Sequence, residues 1–286
     1  MTPGRPPRPP AVAGAFYPAA PSALAREVET CLAAAHAPLG PRPIVLIAPH
    51  AGYAFCGRVL GEAWAQAAPH AWDTLVVLGT NHSEPGFDRV SVWSGGDWCT
   101  PLGRVGCDRA AAGALLAAAP GDCLPDERCH LDEHSIEVQL PFAQRLFPGL
   151  PLLALVVATT GGDRLARFAD ALAGWARERR ALIVASSDLS HYPAARDAAA
   201  VDARTLEAIV SLDPARLRRT LDGQMELGIP GLATCACGEA PILAAMEAAR
   251  RLGAVRGTVL ARADSSEGPR VGSRGVVGYG AVAFHA

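Results

Sequence analysis

Three histidines occupy equivalent positions in this sequence, each a few residues after a short aliphatic run that is typical of a buried strand. They are His50, His82 and His191. In open α/β sheets, ligand sites form in the crevice beyond the carboxyl ends of the strands. We therefore expect these imidazoles to converge on one pocket.

Cys237 is the fourth candidate, in a segment that precedes a helix predicted to begin near Ile242. The amides and the dipole at a helix start favour the thiolate, which is the form that binds a metal or attacks an electrophile. Two neutral imidazoles and one thiolate make a competent catalytic metal site, so the sequence predicts a metal site of His50, His82 and Cys237. Two alternatives stay open, namely a buried core thiol and a metal-free nucleophile with a histidine base.

Asp188 and His191 lie three residues apart beyond a predicted strand. We interpret them as a pocket acid/base pair, with Asp188 setting the tautomer of His191, or as groups that orient a ligand. Together with Ser186 they also suggest a Ser/His/Asp hydrolase. That hypothesis is weak, because no G-x-S-x-G elbow is present and triad members normally come from separated segments.

The segment 126–137 is dense in polar residues and precedes a predicted helix. Asp132 is the expected N-cap, with Glu133 favourable in the first turn and His134 and Glu137 on one face. Either this is a solvated helix start, or Glu133 or His134 lines the pocket. The further candidates for pocket lining are Tyr53, Asn81, Cys235 and Glu239.

The predicted elements alternate between strands and helices, which favours a largely parallel sheet covered on both faces. The strands are predicted at 44–48, 74–79, 152–158 and 182–185, and the helices at 22–35, 136–147, 165–175 and 242–252. A further strand is predicted at 88–93, and a Gly/Ser-rich turn joins an antiparallel pair at 257–262 and 275–284. We expect one α/β/α domain over 11–286 and a mobile Pro-rich tail over 1–10.

Composition excludes several function classes. The net charge is −2 with both signs interspersed, which disfavours nucleic-acid binding. All 26 basic residues are arginine, so Schiff-base, pyridoxal-phosphate and Walker-type sites lack the lysine that they need.

Location is predicted from the cysteines and from hydropathy. Eight cysteines without an export signal indicate reduced thiols, and no apolar stretch reaches the roughly 20 residues of a membrane span. We expect a cytoplasmic protein.

The chain resembles the Memo family, known in bacteria as AmmeMemoRadiSam system protein B, nearly end to end. The resemblance lies in AVAGAFYP (11–18), IAPHAGYAFCG (47–57), LGTNHSE (78–84), DEHSIEVQLPF (132–142), SSDLSHY (186–192), CGEAPI (237–242) and VVGYGAVAF (276–284). It implies a fold like that of class III extradiol dioxygenases, in which two histidines and a glutamate hold iron. The Memo pattern keeps the two histidine ligands, which match His50 and His82, and has a cysteine, here Cys237, in place of the glutamate ligand. His191 matches the position of the acid/base histidine of those dioxygenases.

The resemblance implies iron or copper as the cofactor, with zinc a third candidate, because a thiolate prefers softer ions. It leaves two roles open. One is the oxidation or oxygenation of a small organic substrate, and the other is non-catalytic binding of a peptide, metabolite or protein partner. Radical-SAM and AMMECR-type proteins are the implied partners. Glu239 and Ala240 stand where animal members have a basic pair, so the phosphotyrosine-peptide binding of those members is a weaker expectation for this chain. Glu239 also offers a carboxylate near the metal.

Overall fold

The computed structural model describes residues 5–269 and 275–286. Its strands are β1 Val45–Ala48, β2 Thr74–Thr80, β3 Val90–Val92, β4 Trp98–Thr100, β5 Gly103–Val105, β6 Cys123–Leu124, β7 Leu152–Val157, β8 Ala181–Ser186, β9 Arg256–Asp264 and β10 Gly278–His285. Its α-helices are α1 Pro21–Ala33, α2 Tyr53–Ala65, α3 Arg109–Ala118, α4 Arg128–Leu131, α5 Leu140–Leu146, α6 Gly162–Ala176, α7 Ala195–Val210, α8 Pro214–Glu226 and α9 Glu239–Arg251. Short 3₁₀ turns form at Glu137–Gln139 and Ser265–Glu267.

An eight-stranded sheet in the order β6-β3-β7-β2-β8-β1-β10-β9 forms the centre of the protein. Its middle strands β7, β2, β8 and β1 are parallel. β10 pairs antiparallel with β1 and with β9, and β3 pairs antiparallel with β7. The predicted mixed α/β fold with a mostly parallel central sheet is confirmed. The Gly/Ser-rich turn predicted between β9 and β10 lies partly at 270–274, outside the described residues.

The two faces of the sheet carry separate apolar layers, because successive side chains on a strand point to opposite sides. On β1, Val45 and Ile47 pack toward one layer, while Leu46 and Ala48 pack toward the other. The first layer is covered by α3, α6, α7, α8 and α9, and the second by α1, α2 and α5. The parallel strands therefore end together between two helical layers, where a pocket can form.

The prediction of a mobile tail is wrong from Arg8 onward. Arg8 is buried, and its guanidinium donates to the carboxylate of Glu137 at 2.6 Å and to the carbonyl oxygens of His130 and Glu133 at 2.7 and 2.6 Å. It also lies 4.0 Å above the ring of Trp98. These contacts fix the position of Arg8, whereas the Pro-rich composition by itself indicates only an extended chain. Residues 1–4 lie outside the described residues.

The helix start predicted at Asp132 is also wrong. Asp132 ends the short helix α4, and the chain then runs irregularly to the 3₁₀ turn at Glu137–Gln139, which leads into α5. Glu133 and His134 therefore lie in a loop rather than in a first helical turn. Within residues 5–269 and 275–286, no helix has both the length and the apolar character that a membrane crossing requires.

Candidate metal centre

His50, His82 and Cys237 come together where the parallel strands end. His50 lies two residues after β1, His82 two residues after β2, and Cys237 two residues before α9. A ligand atom from each of the three lies within 4.8 Å of the other two. His50 Nε2 lies 3.2 Å from Cys237 Sγ. The rings of His50 and His82 are 5.1 Å apart, edge to face.

The tautomer of His50 follows from its neighbour Ser186. The Ser186 hydroxyl donates its single proton to the carbonyl oxygen of Ser135 at 2.6 Å. Its contact with His50 Nδ1 at 3.1 Å must therefore be one in which the Ser186 oxygen accepts a hydrogen bond from Nδ1–H. His50 therefore carries its proton on Nδ1 and presents the lone pair of Nε2 to Cys237. Burial lowers the pKa of His50, which keeps the ring neutral. Since Ser186 has no proton left for His191, this bond also argues against a Ser/His/Asp triad.

His82 is held by the buried carboxylate of Glu133. Its Nδ1 lies 3.0 Å from Oε1 of Glu133, and its backbone N–H donates to Oε2 at 2.9 Å. Burial by itself disfavours the charged form of each residue. The hydrogen bond and the attraction between the opposite charges are larger effects, so the pKa of Glu133 falls to about 2 and that of His82 rises. Because Nδ1 engages the carboxylate, Nε2 on the opposite side of the ring is the atom left for an ion.

Cys237 sits on a tight turn that leads into α9. The backbone N–H of Asp188 donates to its sulfur at 3.3 Å, and Gly238 N–H donates to the Ser187 hydroxyl at 2.9 Å. A Cβ at Gly238 would lie 2.5 Å from Cβ of Ser187, so only glycine allows this approach. Burial, followed by the charge of Asp188, raises the pKa of the Cys237 thiol, which contradicts the thiolate expected from the helix start. The thiol thus ionises only when a cation or a base replaces its proton.

Asp188 and His191 lie in the loop after β8, but no hydrogen bond between them is found in the described part of the chain. Oδ1 of Asp188 accepts from the backbone N–H of His50 at 2.7 Å and of Ala51 at 3.3 Å. Asp188 therefore fixes the loop that carries His50 and does not set the tautomer of His191. Burial raises the pKa of Asp188 to about 7.

His191 faces the same pocket from another side. Its backbone N–H donates to the carbonyl oxygen of Thr234 at 3.0 Å, which ties the loop after β8 to the segment that leads to Cys237. Its Nε2 is buried and has no hydrogen-bond partner in the described residues. Burial, followed by the positive charge of His82, lowers the pKa of His191. A ligand atom of His191 lies within 4.8 Å of one from Asp188 and one from Cys237.

A cavity of about 380 Å³ opens beside the imidazoles of His50, His82, His134 and His191. Its remaining lining residues are Ala15, Phe16, Ala51, Gly52, Phe55, Asp188, Val277 and Tyr279. The sequence reasoning missed the aromatic residues of this wall. Phe16, Phe55 and Tyr279 lie within the segments that carry the family resemblance, and that position was the available signal.

A second, more polar cavity of about 300 Å³ reaches Cys237. Asn81 and Glu239, which were predicted to line the pocket of the histidines, line this second cavity instead. Tyr53 and Cys235 line neither of these two cavities. The hydroxyl of Tyr53 donates to Val138 inside the core, and the buried sulfur of Cys235 packs beside Met225.

A family model described as Memo-like protein matches residues 8–283 of this chain. The chain belongs to the Memo family. A MEMO1 family protein of Aeropyrum pernix is 37% identical to this Memo chain over 296 residues, covering 96% of this chain and 98% of its own. Another from Methanothermobacter thermautotrophicus is 36% identical over 284 residues, covering 95% and 98%.

The fold of this Memo chain is also found in a solved structure. The crystal structure of uncharacterized protein JW3007 from Escherichia coli K12 is similar, with a TM-score of 0.56 and 13% identity. The match covers 84% of this chain and 99% of that one. At this identity the likeness extends to the fold alone.

The donor set of the Memo chain fits a metal ion. An ion bound at roughly 2.0–2.3 Å by nitrogen and sulfur separates its ligands by about 3.3–3.8 Å in tetrahedral geometry. The three donor atoms lie within 4.8 Å of one another, so shifts of about 1 Å bring them to an ion. Two imidazoles and a thiol are ligands for zinc, copper and iron.

Proposed function

We propose that this Memo-family chain is a metalloprotein in which His50, His82 and Cys237 hold one transition-metal ion. The observation that carries the proposal is the 3.2 Å approach of His50 Nε2 to Cys237 Sγ, with a ligand atom of His82 inside the same 4.8 Å cluster. The family resemblance makes iron and copper the first candidates and zinc the third, and the thiolate in place of a carboxylate shifts the preference toward the softer of these ions.

We further propose that the centre oxidises or oxygenates a small organic molecule bound in the 380 Å³ cavity, with dioxygen as the oxidant that accepts the electrons. An iron or copper ion would supply electron transfer at that position. The aromatic side chains of Phe16, Phe55 and Tyr279 offer an apolar wall that excludes water and orients a planar substrate. His191, neutral and unpartnered at Nε2 within the described residues, supplies a base that takes a proton from the substrate.

Anaerobic reconstitution tests the metal site. We expect purified chain loaded with Cu(I), a soft ion that favours the thiolate, to retain about one ion per chain, measured by mass spectrometry after gel filtration. His50→Ala and His82→Ala should lose the ion, and Cys237→Ser should lose the thiolate charge-transfer band of a Co(II)-loaded sample. His36→Ala is the matched control, because His36 also pairs with a glutamate but its side chain is 81% exposed and lies outside the cluster.

Unchanged stoichiometry in both histidine variants would refute the metal site. Wild-type chain that holds no ion after anaerobic loading would favour the second role, in which the cavity binds a peptide, a metabolite or a protein partner. Radical-SAM and AMMECR-type proteins are then the partners to test by pull-down without metal.

A further inference from the structure

A second set of metal-ligating groups surrounds the opposite side of His82. It consists of His82, Glu133 and His134, which each offer a ligand atom within 4.8 Å of the other two. We propose that these three residues form a second metal seat, for a hard divalent cation such as Mn(II) or Fe(II). This seat uses neither His50 nor Cys237, and it goes beyond the proposed function because it stands without the thiolate site.

The atoms of this second seat converge on Oε1 of Glu133. His82 Nδ1 lies 3.0 Å from that oxygen and His134 Nδ1 lies 3.7 Å from it. These separations bracket the ligand spacing of an ion with bonds of about 2.1 Å, which is about 3.0 Å in octahedral and 3.4 Å in tetrahedral geometry. An ion would enter by displacing the proton of His82 Nδ1 to solvent and taking its place beside the carboxylate.

Backbone N–H groups and the side chain of Arg8 fix the position of Glu133. Its carboxylate accepts from the backbone N–H groups of Ser135 at 2.7 Å and His82 at 2.9 Å, and its own carbonyl accepts from Arg8 at 2.6 Å. Hydrogen bonds of this kind orient metal-ligating carboxylates in proteins. The carboxylate is buried, so it need not be stripped of water when an ion arrives.

His82 and His134 connect the second seat to the cavity, from which an ion can enter. The side chains of His82 and His134 are 33% and 21% exposed and both line the 380 Å³ cavity. Their ring centroids lie 4.8 Å apart, with an angle of 17° between the ring planes. Three protein ligands leave coordination positions open toward the cavity.

Ligand hardness separates the two seats. Two imidazoles and a carboxylate form the set that proteins use for Fe(II) and that suits Mn(II), whereas the thiolate of Cys237 selects softer ions. The seats share His82, through Nδ1 in one and Nε2 in the other. An ion in the second seat removes the hydrogen bond by which Glu133 orients His82, so we expect the two seats to be filled by alternative ions.

Titration with two probe ions tests the second seat. Mn(II) binding is followed by loss of the free-ion signal in electron paramagnetic resonance, and Co(II) binding by its thiolate charge-transfer absorption. The chains are wild type, His134→Gln, Glu133→Gln, Cys237→Ser and His36→Gln, with thermal unfolding of each as the check on folding. His36→Gln is the matched control because its ring also contacts a glutamate, at 2.7 Å, away from the pocket.

We expect wild type, Cys237→Ser and His36→Gln to bind one Mn(II) with similar affinity. His134→Gln should weaken Mn(II) by more than about 10-fold, the lower end of what loss of even an outer-shell partner costs. His134→Gln should keep the Co(II)–thiolate band, which Cys237→Ser loses.

Unchanged Mn(II) affinity in His134→Gln and Glu133→Gln would overturn the second seat, and so would loss of Mn(II) in Cys237→Ser. Failure of wild type to bind Mn(II) would overturn it as well. Absence of a thiolate band in wild-type Co(II) samples refutes the thiolate site of the proposed function and leaves the second seat standing, so the two failures are distinguishable.

Discussion

His50 Nε2 lies 3.2 Å from Cys237 Sγ although 187 positions separate the two residues in the chain. Each side of this contact is held by groups of its own. Ser186 places the proton of His50 on Nδ1, and the turn through Gly238 aims the sulfur. The following predictions test the groups that maintain this geometry, beginning with Ser186.

Ser186→Ala should weaken metal binding without unfolding the protein. The substitution removes the acceptor that keeps the proton of His50 on Nδ1, and loss of such a partner costs about 10–100-fold in metal affinity. Competition titration with a chelator measures this loss. Ser190→Ala is the control, because the Ser190 hydroxyl is buried without a partner in the described residues, and its removal should leave affinity unchanged.

Arg8→Met should destabilise the chain strongly. Both members of the Arg8–Glu137 pair are fully buried, so the substitution leaves an uncompensated carboxylate and should lower the free energy of unfolding by about 3–5 kcal/mol. Urea unfolding followed by circular dichroism gives this value. Arg5→Met removes an exposed partner of Glu127 and should cost less than about 1 kcal/mol. Equal effects of the two substitutions would contradict the folded position of residues 5–10.

Asp202 should make stability fall as pH rises from about 4 to 6. Burial raises its pKa from 3.8 to about 6 in the folded chain, although its carboxylate accepts from Ser190 N–H at 3.0 Å. The folded state therefore binds this proton more tightly than the unfolded state, and stability is lost while only the unfolded state ionises. Above about pH 6 the loss is complete and constant.

Asp202→Asn should remove that pH dependence, because the amide keeps an oxygen for Ser190 and carries no charge. The difference in unfolding free energy between wild type and variant, measured by urea titration from about pH 4 to 7, should grow in favour of the variant and level off near pH 6. A difference that stays flat across this range would show that Asp202 has no raised pKa.

Two helical glycines should respond to alanine with opposite signs. In α2, a Cβ at Gly61 would lie 2.2 Å from the carbonyl oxygen of Cys31, so Gly61→Ala forces α1 and α2 apart and should cost about 1–3 kcal/mol. In α3, a Cβ at Gly113 meets nothing within 4 Å in the described residues, and alanine should stabilise by up to about 1 kcal/mol. Melting temperatures of the two variants should move in opposite directions.

The periodicity of apolar residues was sufficient to predict the layers of this fold. Runs such as 152–158 are aliphatic without alternation because both faces of β7 are covered, and the stripe at 165–175 repeats with the helical period because α6 buries one side. Periodicity could not reveal the folded position of Arg8, since its partner Glu137 is 129 residues away. It also could not correct the helix start predicted at Asp132 from its capping preference. In the structure, Glu133 and Glu137 make long-range contacts instead, and the next helical turn begins at Glu137.

The candidate site, like the fold, was only partly predictable from the sequence. The sequence alone determined which residue types follow which strands, and the rule that parallel strands end together made His50, His82 and Cys237 candidates for one site. Only the tertiary structure decided the chemistry of each group, because protonation depends on burial and on partners far away in the chain. In the folded chain, Asp188 accepts hydrogen bonds from the backbone at His50, and burial keeps the Cys237 thiol protonated. Glu133 contacts His82, although the sequence indicated only a helix start at that position.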